Sequence, residues 1–318
     1  MYRIGIDLGG TNIAVGLVDA EGRIIAKRSD PTNAKRSERD VLDSIAQTVI
    51  SLVEESGCAM DDIDSVGIGT PGSVDPVNGI VHASCNLPFD NTPLALRLRE
   101  RLNRPIFVEN DANCAALAEA KVGSAKGMKH VAMITLGTGV GGAIVIDGML
   151  YGGFNNFGGE FGHMIVEVGG ELCPCGQKGC LEAYASATAL ARDAQRAAEN
   201  NPDSLLRVCA EKEGKYSGRT AFDAARLGDR EGQRVVDRYI YYLAIGIVNA
   251  VHILQPNAIV LGGGVAHEGN NLLIPLKKLV NDIAYGDQVP EEKRTVLLCA
   301  NLGNDAGIIG AALLDERK

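Results

Sequence analysis

The 318-residue chain has no run of lysines and arginines, and its 31 basic against 40 acidic residues leave a formal net charge of −9. Without a patch that neutralises phosphates, general nucleic-acid binding is excluded. A nucleotide ligand is not, because backbone N–H groups and Mg²⁺ can hold one. Proline is scarce, at 11 residues, and no linker or low-complexity segment divides the sequence. No secretory leader is expected, since Tyr2 to Asp7 already reads as a strand. The most apolar stretch, Tyr239 to Leu254, contains Asn249 and His252 and stops at Pro256. It falls short of the roughly twenty residues a membrane span needs and reads as a buried helix. Eight cysteines without a leader imply a reducing, cytoplasmic setting, with thiols free or bound to metal. What is present is a globular composition, 46% hydrophobic, which excludes disorder and allows about two domains. The exception is glycine, whose 39 residues cluster at strand ends.

Strands are expected at 2–7, 12–18 and 23–27, the last entered through the Glu21-Gly22 turn. Val41, Ile45, Val49, Leu52 and Val53 carry helical spacing over 37–55, with Ser37 as N-cap. A buried strand at 63–69 follows. Thr92 and Pro93 are the expected cap and first residue of a helix to about 103. A strand at 105–108 then leads through Asn110-Asp111 into a helix over 112–121. The order to this point is β-β-β-α-β-α-β-α. The pattern restarts with strands at 130–135 and 141–146. One constant offset places Leu8 on Leu136, Gly9 on Gly137, Val18 on Ile146 and Asp19 on Asp147, which implies a duplicated α/β fold. Helices over about 182–254, strands at 258–261 and 295–299, and a helix at 305–314 complete the reading. Two domains around a cleft, with the glycine loops facing it, are expected.

Three glycine turns sit at strand ends: Asp7-Leu8-Gly9-Gly10-Thr11, Leu136-Gly137-Thr138-Gly139 and Gly262-Gly263-Gly264. Glycine lets backbone N–H groups approach an anion, which is how phosphate is cradled without lysine. None is a P-loop, because no Gly-Lys-Ser/Thr follows at the required spacing. The alternative is that they are tight hairpin turns. Asp7 beside a phosphate loop would repel it, so Mg²⁺ or a bridging water is expected there. Cys173, Cys175 and Cys180, with His163 upstream, form a Cys₃His set suited to tetrahedral structural Zn²⁺, although Cys-x-Cys-x₄-Cys is an unusual spacing. Buried free thiols are the alternative. The other cysteines, 58, 85, 114, 209 and 299, read as packing residues.

The segments Ile4 to Thr11, Glu109 to Asn113, Leu136 to Gly142, Gly159 to His163 and Cys173 to Glu182 together resemble the ROK family of sugar kinases and repressors. Within it they look most like the bacterial ATP-dependent glucokinases. The resemblance implies an actin/hexokinase-like (ribonuclease H-like) fold of two related α/β domains, divided as 1–117 with the last helix 303–318, and 118–302. It implies transfer of the ATP γ-phosphoryl group to O6 of D-glucose, with Asp111 as the general base. Its position at a helix start also suits Asp111 to be an N-cap, and the two roles are compatible. Asn86, Asn110, Asp111, Glu160, His163 and Glu182 are then the expected sugar contacts, and zinc shapes the sugar site without performing chemistry. Gly9, Gly10, Thr11, Gly137, Thr138 and Gly139 would face the phosphates, and Gly262 to Gly264 the ribose or adenine. N-acetylmannosamine, fructose, mannose or allose are alternative acceptors. Polyphosphate as donor is disfavoured by the lack of a basic tract. A sugar-sensing repressor should carry a helix-turn-helix ahead of the first loop, for which Asp7 leaves no room. A chaperone-like ATPase would have no use for the sugar and zinc segments. A homodimer or higher homo-oligomer is the family's habit.

Overall fold

The computed structural model describes residues 2–286 and 289–316. Strands β1 (Tyr2–Leu8), β2 (Asn12–Val18) and β3 (Ile24–Pro31) lead into α1 (Glu38–Glu55). Next come β4 (Ile63–Thr70), β5 (Ser73–Asp75), β6 (Ile80–Ala83), β7 (Asp90–Thr92), α2 (Leu94–Leu102), β8 (Ile106–Asn110) and α3 (Asp111–Lys121). The repeat opens with β9 (Val131–Leu136), β10 (Val140–Ile146) and β11 (Met149–Leu150). Helices α4 (Glu182–Ala185), α5 (Ala187–Asn200), α6 (Leu206–Glu213), α7 (Thr220–Arg226) and α8 (Arg230–Leu254) follow. The chain closes through β12 (Ala258–Gly262), α9 (Asn270–Ile283), β13 (Val296–Cys299) and α10 (Ala306–Ala312).

Two five-stranded sheets share one plan, β3-β2-β1-β4-β8 and β11-β10-β9-β12-β13. In the first, β1 and β2 are antiparallel, as are β2 and β3, while β4 runs parallel to both β1 and β8. In the second, β12 is parallel to β9 and β13, and β11 antiparallel to β10. The constant offset read from the sequence carries Asn12–Val18 end to end onto Val140–Ile146, so the duplication is structural. Contacts group the chain into two compact units, Met1–Lys129 with Ala143–Gly158 and Asn301–Lys318, and His130–Gly142 with Gly159–Ala300. Where the sequence reading divides at 117/118, these contacts place 118–129 and 143–158 with the first unit.

Local expectations are met where periodicity is strong. Ser37 caps α1 by accepting the Asp40 N–H, and Val41, Ile45, Val49, Leu52 and Val53 are all buried. The stretch 239–254 lies within α8, capped by Asp229, and among the described residues no helix is long and apolar enough to cross a membrane. Two readings are corrected. Thr92 is the last residue of β7, with its hydroxyl donated to Glu38 Oε2 at 2.9 Å; Pro93, not Thr92, precedes α2. The simple β-α alternation also omits the small sheet β5-β6-β7, whose strands are only three or four residues long, with β5 and β7 mostly polar. Such strands carry little of the apolar alternation that marks a half-buried strand.

One packing feature has no local signature. Helix α10 lies against β1 and β4 at backbone contact distance. A Cβ on Gly5 would stand 1.9 Å from the Ile308 carbonyl oxygen, and one on Gly67 1.7 Å from that of Ala311. Gly310 of the helix itself meets the Cys114 carbonyl of α3 in the same way, at 1.7 Å. Several glycines of this chain thus serve close helix packing, apart from the loops.

Candidate functional site

In the first unit, β1 delivers Asp7 to the start of the glycine loop, and Gly307 of α10 leaves room for its carboxyl group: a Cβ there would come within 2.9 Å of Asp7 Cγ. Burial first, and the neighbouring Asp111 charge second, push the Asp7 pKa up to about 6. Above that pH the folded protein carries an ionised, poorly solvated carboxylate. The unfolded chain releases the same proton near 3.8, so stability falls as pH rises from about 4 to 6 and stays reduced beyond. Two pKa units correspond to about 3 kcal/mol. Asp7→Asn, without nucleotide or magnesium, is therefore expected to be more stable than the parent by about 1–3 kcal/mol at pH 7.5 and no more stable at pH 4. Denaturant titrations at the two pH values check this.

Asp111 is the first residue of α3, and the residue before it performs the capping. Asn110 Oδ1 accepts the N–H groups of Ala112 at 2.9 Å and Asn113 at 3.3 Å. Asp111 is therefore not the N-cap. Its Oδ1 shares the Ala112 N–H, at 2.9 Å, which leaves Oδ2 without a partner among the described residues. Asn110 Nδ2 donates to the Gly72 carbonyl at 3.4 Å. On the loop, Gly9 N–H closes a turn onto the Asn12 carbonyl at 2.9 Å. A Cβ on Gly10 would meet Asn86 Cβ at 3.1 Å, so this glycine allows the exposed Asn86 to lie against the loop. Gly10, Thr11 and Asn86 line a cavity of about 670 Å³ together with Lys35, Arg36 and Cys85. Lys35 and Arg36 carry no motif and could not be singled out from sequence.

In the second unit, the side chains of His163, Cys173, Cys175 and Cys180 converge, with one ligand atom from each lying within 4.8 Å of the others. Cys175 and Cys180 Sγ are 3.7 Å apart, and Cys173 Sγ is 4.0 Å from His163 Nδ1. A tetrahedral Zn²⁺ with Zn–S bonds near 2.3 Å would set its sulfur ligands about 3.8 Å apart, so the donor set and its spacing fit that ion. Burial pushes the Cys173 thiol up to about 12, so a cation is needed to hold it as thiolate at neutral pH. His163 turns Nδ1 to the thiols, and its Nε2 lies 3.9 Å from Glu160 Oε2.

Glu182, at the start of α4, accepts the Val140 N–H on Oε2 at 2.9 Å, while Cys173 Sγ lies 3.6 Å from its Oε1. Gly139 makes this possible, since a Cβ there would stand 2.3 Å from Oε2. The carboxylate thus links the cysteine segment to the second glycine loop, a contact that nothing in the spacing announces. In the third loop, Gly263 adopts φ +82° against the Leu136 backbone, where a Cβ would approach to 2.6 Å. Gly264 is open, and lines a cavity of about 550 Å³ with Val265, Lys215, Ser217 and Glu268.

The structure thus brings together Asp7 with Asp111, Gly10 with Asn86, and the four candidate metal ligands with Glu160, Glu182 and the second loop. Comparisons with known proteins show what the whole chain is similar to. The ROK family model matches residues 3–318. A glucokinase of Thermotoga maritima is 39% identical over 316 residues, covering 99% of this chain and 97% of its own. One of Halalkalibacterium halodurans is 36% identical, covering 100% and 96%. The crystal structure of a ROK family glucokinase from Streptomyces griseus, in complex with glucose and AMPPNP, superposes with a TM-score of 0.78 at 35% identity, covering 99% of each chain.

Proposed function

Because this chain belongs to the ROK family, we propose that it is an ATP-dependent hexokinase that phosphorylates D-glucose at O6. The observation that carries the reading is the carboxylate pair Asp7 and Asp111 beside one of two related glycine loops, in a chain similar throughout to glucokinases. Phosphoryl transfer asks a protein for positioning, charge neutralisation and one group to orient the nucleophile. Asp111 Oδ2 accepts the O6 proton while O6 forms its bond to the γ-phosphorus. The bond from that phosphorus to the β,γ-bridging oxygen breaks, and ADP departs with the electron pair.

The N–H groups of Gly10, Thr11, Thr138 and Gly139 have no acceptor among the described residues, which suits them to phosphate oxygens. Gly9 and Gly137 shape those loops; Gly262, Gly263 and Gly264 are assigned to the nucleoside, and Gly264 lines the cavity of about 550 Å³. Mg²⁺, held by Asp7 directly or through water, would neutralise phosphate charge when bound. Asn86, Asn110, Glu160, His163 and Glu182 are assigned to sugar hydroxyls; Asn110 keeps one amide proton for this, since its oxygen serves the cap and its other proton the Gly72 carbonyl. Zn²⁺ on His163, Cys173, Cys175 and Cys180 would fix the His163 tautomer with Nε2 free to bond. The base belongs to the unit Met1–Lys129 with Ala143–Gly158 and Asn301–Lys318, and the zinc segment to His130–Gly142 with Gly159–Ala300. The Cys₃His set needs reduced thiols to serve as ligands, which favours a reducing cytoplasm.

The test is a screen of hexoses with ATP in a coupled ADP-release assay. Glucose is expected to give the highest kcat/KM against N-acetylmannosamine, fructose, mannose and allose, with polyphosphate inactive as donor. No turnover of glucose, or ATP hydrolysis at the same rate without sugar, would sink the reading.

A further inference from the structure

The two glycine loops are held from behind by the same device, built from residues that lie in no motif. In the first unit, Thr32 follows β3 and is fully buried. Its hydroxyl donates to the Gly9 carbonyl at 2.7 Å, and its backbone N–H donates to the Thr11 carbonyl at 2.8 Å. In the second unit, Ala187 and Thr188 open α5. The Ala187 N–H donates to the Gly137 carbonyl at 2.8 Å, and the Thr188 hydroxyl donates to the Thr138 carbonyl at 2.7 Å. Each loop therefore has two carbonyls tied down, one by a backbone N–H and one by a threonine hydroxyl.

The consequence follows from the planarity of the trans peptide, in which a carbonyl and the next N–H point in opposite directions. Drawing the Gly9 carbonyl toward Thr32 turns the Gly10 N–H away from it. Drawing the Gly137 and Thr138 carbonyls toward α5 turns out the N–H groups of Thr138 and Gly139. None of these three donors is spent on an acceptor among the described residues. Glycine peptides otherwise flip readily, because they occupy both signs of φ at little cost. A loop of this composition needs an external tie to keep its donors aimed one way.

We propose that Thr32 and Thr188 are positioning residues for the nucleotide, each fixing the peptide orientation of one phosphate loop through its hydroxyl. The proposal rests on the kinase reading and extends it to two residues outside the phosphate loops. Each threonine acts through the loop carbonyl its hydroxyl holds, Gly9 for Thr32 and Thr138 for Thr188. Serine should serve in place of threonine, and valine, which matches its shape without the hydroxyl, should not.

The experiment measures AMPPNP binding by calorimetry for the parent, Thr32→Val, Thr188→Val, and the two serine variants, with melting temperatures alongside. Each valine variant should bind AMPPNP roughly five- to tenfold more weakly, the worth of one hydrogen bond, with glucose affinity unchanged. The ATP KM should rise by the same factor, and each serine variant should return to within about twofold of the parent. Valine variants that melt lower but bind AMPPNP as the parent does would reduce the threonines to structural residues and overturn the proposal. So would serine variants as impaired as the valine ones. A parent that binds no AMPPNP at all would overturn the kinase reading itself, a result the variant comparison keeps distinct.

Discussion

Asp111→Asn is expected to lower kcat by a factor of about 10³, within the range general-base catalysis contributes, while KM for glucose and glucose affinity change by less than about threefold. The substitution is clean because the structure separates two roles that the sequence position leaves combined. Asn110 supplies the helix cap, through Ala112 and Asn113, so changing Asp111 leaves the start of α3 capped. The shape of the side chain is kept, and the carbonyl of the new amide can still accept the Ala112 N–H that Oδ1 accepts now. What is lost is the capacity of the second oxygen to take a proton from O6. The chain has no tryptophan, so glucose binding is read by calorimetry. Retained turnover would remove Asp111 as the base. A secondary effect should accompany the loss: with the neighbouring charge gone, one of the two causes that raise the Asp7 pKa disappears, and that pKa should fall from about 6 toward the ordinary carboxylate range.

The second large effect concerns the cysteine segment. Protein purified without chelator is expected to contain one zinc per chain, and Cys180→Ser to contain none. Cys173 and Cys180 are buried to within 2% of full exclusion from solvent, in a small cluster with Ala183, Tyr184 and Tyr242. Without a metal the segment must bury unneeded thiols and forgo four strong bonds. A structural zinc is worth about 10–16 kcal/mol in isolated finger peptides. In a folded domain that keeps its remaining core, part of this is lost, and a fall in Tm of roughly 5–10 °C is the expected result. Glucose affinity should fall at the same time, because His163 and Glu182 both touch Cys173. Elemental analysis and thermal melts check the first part, calorimetry the second. Parent protein free of zinc would overturn the site.

The parts of this molecule that were legible in its sequence are those written over short stretches. The α1 face, the repeated strand-loop-strand unit and the three thiols in eight residues each fit inside a window that periodicity or spacing can scan. The duplication became convincing only with the strand order, which repeats in both sheets. Contacts between residues far apart in the chain stayed hidden. Thr32 is an unremarkable residue after a strand, and its bond to Gly9 crosses 23 positions. Thr188 reaches Thr138 across 50. Glu182 reads as a sugar ligand by resemblance, yet its hold on the Val140 N–H depends on a glycine 43 positions upstream having no side chain. The cap at α3 is left open by the sequence for a different reason: Asn110 and Asp111 are adjacent residues of nearly equal capping propensity, and only backbone geometry chooses between them.

The contact of α10 with β1 and β4 bears on how this protein is made. Gly5 and Gly67 leave a groove in the first sheet that fits a helix backbone and little else, and the helix that fills it begins at Ala306. A ribosome adding about 5–20 residues per second needs roughly 10–50 s to travel from the end of β4 to that point. Throughout that interval the nascent sheet holds an open apolar face. The second unit, whose residues lie between 130 and 300, has all of its strands and helices synthesised before the first can close. The unit that begins to be translated first is therefore completed only once Ala306–Ala312 has been made, and a chain released before Ala306 would leave the ribosome with that face uncovered, in the form that chaperones and proteases engage.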